Sequence, residues 1–118
     1  MTKQNSSFTI EDGQLQISGR QVETEYPVAE ALLANGNVVA RLQVAVGTIM
    51  NANVLCFSEN GELLWAIDES PHGGTASNSY VAISLSDNGS IVARNWNGVE
   101  YDVSAADGRV SPVGFRRF

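Results

Sequence analysis

The segment Asn35-Gly36-Asn37-Val38-Val39-Ala40-Arg41 recurs 53 positions later as Asn88-Gly89-Ser90-Ile91-Val92-Ala93-Arg94. In both copies an Asn-Gly pair is followed by a β-branched run that closes on Ala-Arg. Asn and Gly tolerate the positive φ angles that tight hairpin turns require, so each copy reads as a turn opening a strand. The preceding residues repeat at the same offset, Val28-Ala29 aligning with Val81-Ala82. A further pair of strands about a glycine follows each copy, at Gly61 and at Gly108. The chain therefore carries two four-strand units, about 27–67 and 80–113, and an internal repeat of this period marks blade or array architectures.

Six Asx-Gly pairs punctuate the chain: Asp12-Gly13, Asn35-Gly36, Asn60-Gly61, Asn88-Gly89, Asn97-Gly98 and Asp107-Gly108. They use six of the eleven glycines, and each is flanked by β-like runs. Phe8 to Ile10 and Leu15 to Ile17 form an N-terminal hairpin on this reading. Val28 to Leu33, Val38 to Val46, Val54 to Phe57, Leu63 to Ile67, Tyr80 to Leu85, Ile91 to Trp96, Val99 to Val103 and Arg109 to Val113 bring the total to about ten strands. Alternation is clear at Val99, Tyr101 and Val103 against Glu100 and Asp102, which predicts one apolar and one acidic face. Val81, Ile83 and Leu85 alternate with Ala82 and Ser84 in the same way, and Leu63, Trp65 and Ile67 are expected to share a buried face. Asp68 to Ser79 has no periodicity and reads as the loop joining the units.

The 118 residues fit a single domain, 1–118, with one real core. Thirteen carboxylates against seven basic residues give a net charge of −6, and the only lysine is Lys3. A nucleic-acid binder needs several clustered cations to displace counterions from phosphates, so nucleic acid is not an expected partner. The same acidity disfavours anionic membrane surfaces. Met1 to Ser7 lacks the apolar stretch of a signal peptide, and no segment is apolar enough to span a bilayer as a helix. With Cys56 the only cysteine, the expected location is cytoplasmic.

The stretch from Asn53 through Gly61 to Trp65 resembles a blade of the quinoprotein-type (PQQ-like) β-propeller repeat, in which an apolar strand turns through a glycine and a Trp follows four residues later. The second unit keeps the glycine, Gly108, with Pro112 at the Trp position. The resemblance implies blade-like sheets over roughly 27–113. It implies no quinone, since no cofactor-binding residues have counterparts here, and no cofactor is expected. Two blades do not close a propeller, which typically needs 4–8. The fold expected is therefore all-β, with two four-stranded antiparallel blade-like repeats packed as a sandwich or flattened barrel. The Phe8 to Ile17 hairpin is expected to cover one end and Phe115 and Phe118 the other. A homodimer is the alternative cover for the exposed faces and edges.

Few residues suggest chemistry. His72 is the only histidine, and one His without further His or Cys makes a poor transition-metal site. No metal or catalytic set is assigned. Cys56, between Leu55 and Phe57, reads as a small buried hydrophobe. The aspartates beside turn glycines lack the ligand spacing of a calcium loop. Glu100 and Asp102 sit two apart beside Arg94, which fits cross-strand pairing on a solvated face. Trp96 shares a face with Val92 and Arg94 beside a turn, the setting of a binding anchor. The candidate surface combines Trp96, Arg94, Tyr101 and His72 with its 68–79 loop. The reading favoured is a non-enzymatic module that binds another protein. One alternative is an immunity-type inhibitor whose acidity captures a basic toxin. Another is a small-molecule-binding protein or hydrolase using Glu100 and Asp102 with His72.

Overall fold

The structure is a computed structural model that describes residues 8–45, 47–69, 79–96 and 98–113. The turns come first in the logic of the fold. At Asp12-Gly13, Ser18-Gly19 and Asn35-Gly36 both residues take positive φ, 52° and 80°, 52° and 82°, and 53° and 81°. These are two-residue hairpin turns whose twist matches that of the flanking strands. At Gly61 and Gly89 only the glycine is left-handed. There the glycine N–H returns to the residue three back, Gly61 to Ser58 and Gly89 to Ser86.

Between these turns run eleven strands among the described residues, all antiparallel. The first sheet comprises β1 (Phe8–Glu11), β2 (Gln14–Ile17) and β3 (Arg20–Val22). The second comprises β4 (Val28–Ala34), β5 (Asn37–Leu42), β6 (Val54–Phe57) and β7 (Leu63–Ala66), and the third β8 (Tyr80–Leu85), β9 (Ile91–Asn95), β10 (Glu100–Val103) and β11 (Val110–Pro112). Each sheet pairs its strands in chain order. No helix occurs among the described residues. The all-β class and both four-stranded units are as expected. The additional strand is β3, reached through Ser18-Gly19, so the N-terminal hairpin is a three-stranded sheet.

The sheets stack in three layers, with the second in the middle. One of its faces sends Val38, Ala40, Leu42 and Phe57 against Leu15, Ile17 and Val22 of the first sheet. The other sends Val39, Val54, Cys56 and Trp65 against Ile83, Ile91, Ala93, Tyr101 and Val103 of the third. The N-terminal sheet thus lies face-on against the first unit and forms the layer at that end of the stack. Phe115 and Phe118 lie outside the described residues. Tyr80 and Tyr101 meet edge-on at 6.2 Å in the second interface, a favoured aromatic geometry. Asn53, fully buried, ties the same interface: its side chain donates to Leu42 O and Tyr80 O and accepts from Tyr80 N. Glu30 reinforces it by pairing with Arg41 at 2.6 Å and accepting from Ile83 N.

Three bulges adjust the pattern. On β7 Trp65 opposes Cys56 and Leu63 opposes Phe57, leaving Leu64 as the extra residue. Leu63 is thereby moved off the face of Trp65, and it is exposed where the alternation predicts burial. On β8 Tyr80 opposes Asn95 and Ala82 opposes Arg94, so Val81 is extra and points outward while Tyr80 and Ile83 are buried. Leu85 is also substantially exposed. The third bulge is at Ala29 on β4. A bulge re-aims side chains without changing composition, and alternation alone does not reveal it.

Register refines the repeat. Val39 pairs with Leu32 and Cys56, and Val92 pairs with Ser84 and Asp102. The offset is thus 53 for β5 and β9 but 52 for β4 and β8, the second turn being one residue longer. The counterpart of Trp65 is Ser111, which opposes Asp102 as Trp65 opposes Cys56. The row Leu32, Val39, Cys56, Trp65 is covered by the third sheet. Its counterpart, Ser84, Val92, Asp102, Ser111, faces outward, with only Val92 still apolar. The outer side of the first sheet is polar as well, with Thr9, Glu11, Gln14 and Gln21 exposed. Polar outer faces are how stacked sheets terminate without exposing a core.

Candidate functional site

Trp96 lies one residue past β9, and its N–H bonds to Ser79 O at 2.9 Å, extending the β8–β9 ladder. Alternation along Val92, Arg94 and Trp96 puts all three on the outer face of the third sheet, as the sequence predicts. Trp96 is 68% exposed, more than any other large hydrophobic side chain described. Beside it the Val81 bulge turns a second apolar side chain outward. Together with Val44, Ala45, Gly47 and Ser79 they line a groove of about 250 Å³. The groove therefore exists because one bulge on β8 meets the segment leaving β5. The signal available in the sequence was the phase of Trp96. The part played by Val44, Ala45 and Val81 carried no such signal.

Arg94 is on the same outer face, paired with Glu100 at 3.4 Å. This is the cross-strand partner that the register dictates, and both side chains are about half exposed. Exposed pairs of this kind contribute at most about 1 kcal/mol. Tyr101 is not at this surface: it is fully buried against Tyr80 in the inter-sheet core. The surface proposed from the sequence therefore loses Tyr101 and keeps Trp96 and Arg94. His72 and most of its loop lie outside the described residues.

Beyond Arg94 the same face becomes acidic. A trough of about 500 Å³ runs over Ser84, Val92, Glu100 and Asp102 to Asp87 and Asn88 at the β8–β9 turn. A third hollow, about 270 Å³, lies at the β1–β2 turn among Gln14, Glu23, Thr24, Glu25 and Tyr26. It lacks an exposed large apolar side chain.

The described residues contain no group of three or more His, Cys, Asp or Glu able to hold a metal ion. Cys56 is buried, and desolvation pushes its thiol up to about 11. A nucleophilic thiolate requires the opposite shift. Burial likewise raises the Tyr80 hydroxyl well above its ordinary range, with further upward contributions from Tyr101, Asp68 and Glu69. At the β10–β11 turn, Asp107 is held below the usual carboxylate range by the Arg109 backbone N–H that it accepts. That is turn chemistry. No helix among the described residues is long and apolar enough to cross a membrane.

Residues 5–115 match the family model described as a domain of unknown function, DUF7957. The chain belongs to the DUF7957 family. The match spans all eleven strands of this DUF7957 domain, from β1 through β11, together with Trp96 and the groove beside it. No curated protein and no solved structure matches the chain.

Proposed function

We propose that this DUF7957 domain is a non-enzymatic binding module that engages another protein through the groove beside Trp96. The observation that carries the reading is a Trp left 68% exposed over an apolar groove. Exposing so large an apolar side chain forgoes burial worth roughly 2–3 kcal/mol, and a partner that covers it recovers that energy. Trp and Arg are the residues most enriched among binding hot spots, and Trp96 stands two residues from Arg94 on one face. The four-stranded sheets, each in chain order and stacked face on face, suit the blade-like reading of the repeat. The cytoplasm is the compartment that a single buried thiol fits best.

The test is selection of a random linear peptide library on the immobilised protein, followed by titration of enriched peptides against wild type and Trp96→Ala. The expected result is saturable binding that Trp96→Ala weakens at least ~30-fold, the effect of a hot-spot residue. Equal binding by both proteins, with unchanged thermal stability, overturns the proposal.

A further inference from the structure

Trp96, Arg94 and Val92 succeed one another along the outer face of the third sheet, roughly 7 Å apart. Register places Glu100 beside Arg94, and Asp102 and Ser84 beside Val92. The line then reaches Asp87 at the β8–β9 turn, which shares the trough with Asp102 and Glu100. The apolar groove and the acidic trough thus lie in line on one face with Arg94 between them, and together they mark a path about 20 Å long at strand spacing. Its charges are Asp87, Glu100 and Asp102 against Arg94, and Arg94 is already matched by Glu100. Among the described residues, two carboxylates are left without a matching cation in the trough.

The repeat makes this composition informative. In the middle sheet, the equivalent face offers Leu32, Val54 and Cys56 to a neighbouring sheet, and that neighbour is apolar. In the third sheet the same positions hold Ser84, Glu100 and Asp102. A partner lying on this face meets carboxylates where the internal neighbour meets hydrocarbon, so complementarity requires it to bring cations. The net charge of −6 acts in the same direction at longer range.

Resting on the binding reading above, we infer that the occupant of this path is an extended, basic segment of another protein. One bulky apolar side chain fills the groove beside Trp96, and Lys or Arg residues further along the segment face Asp102 and Asp87. About six residues in extended conformation span the path at roughly 3.3 Å each. Charge complementarity sets the approach rate and orientation, and the apolar anchor supplies most of the residence time.

The experiment uses the same selected peptides, titrated against wild type, Trp96→Ala and the double variant Asp87→Asn/Asp102→Asn, at low and high salt. All these positions are solvent-facing, and circular dichroism verifies that the variants fold. The expected outcome is enriched sequences combining an aromatic or aliphatic residue with at least two cations, with affinity ~3–10-fold lower in the double variant and lower at high salt. Neutral apolar peptides that bind independently of salt and of Asp87 and Asp102, yet still require Trp96, overturn the basic-segment inference and leave the groove reading intact. Peptides that bind irrespective of Trp96, or a selection that enriches nothing, overturn both.

Discussion

Replacing Asn53 by Ala removes the amide that joins the second and third sheets. Asn53 is fully buried. Its Nδ2 donates to Leu42 O at 2.9 Å and to Tyr80 O at 3.0 Å, and its Oδ1 accepts from Tyr80 N at 2.8 Å. With respect to Tyr80 the side chain imitates a strand: it answers both backbone groups at the edge of β8, where no strand among the described residues does. Alanine leaves the buried Tyr80 N–H without this acceptor, and a stranded buried donor costs ~1–3 kcal/mol. Two carbonyls lose a donor each, and the vacated volume adds a cavity contribution. The total is about 3–5 kcal/mol. Against a domain stability on the order of 6–15 kcal/mol, this is a large fraction. Urea denaturation followed by tryptophan fluorescence measures it. With a slope of about 2 kcal/mol per molar, the midpoint falls by ~2 M, whereas exposed Thr9→Ala shifts it by no more than about 0.3 M. A loss below 1 kcal/mol for Asn53→Ala refutes the reasoning, because the sheets are then not held by that amide.

Gly108 takes φ +81°, and a Cβ there lies 2.6 Å from Trp65 Cε3 and 2.9 Å from Ala66 O; Gly89, at φ +86°, has nothing within 4 Å. Thermal or urea unfolding should therefore show Gly89→Ala costing ~1–2 kcal/mol from backbone strain alone, and Gly108→Ala a further ~1–3 from the contact with Trp65. The Cys56 thiol, at about 11 when folded, ionises more readily in the unfolded chain, so the unfolded state holds fewer protons between roughly pH 9 and 11. Stability should fall with rising pH across that window by about 2–3 kcal/mol, and iodoacetamide at pH 8 should label Cys56 only after unfolding. Acrylamide should quench Trp96 and spare Trp65, which is nearly buried and donates its indole N–H to Ala105 O at 2.9 Å. Trp96→Phe should thus leave a blue-shifted, poorly quenched emission, and an unchanged quenching constant contradicts the placement of Trp96.

The period of the structure was legible because turn chemistry is local. An Asx-Gly pair tolerates the positive φ of a tight turn wherever it occurs, and the duplicated Asn-Gly strands showed that the same unit was used twice. The Ser18-Gly19 turn belongs to the same chemistry, and a search confined to Asn and Asp passes over it along with β3. Alternation placed Val103, which is buried, on the apolar face. It also put Tyr101 with Val103, opposite Glu100 and Asp102, and the core enforces that phase over a surface role. The bulges at Leu64 and Val81 were not legible. They depend on which residues the neighbouring strand presents, and that is a property of register. Leu63 was misplaced for this reason, and Val81 was not seen as a wall of the groove. What covers the two units was equally non-local. It emerges only when the N-terminal sheet is seen on one face of the middle sheet and the third sheet on the other, with both outer faces polar.

The footprint of a selected peptide on the isotope-labelled protein in two-dimensional NMR shows whether the groove beside Trp96 is where this domain meets its partner. The Trp96 indole resonance and the amides of Val44, Ala45, Gly47, Ser79 and Val81 should shift together on titration, with smaller shifts continuing through Arg94 to Asp102. Shifts confined to the outer face of the first sheet, around Thr9, Gln16 and Gln21, with the Trp96 indole unmoved, would contradict that reading.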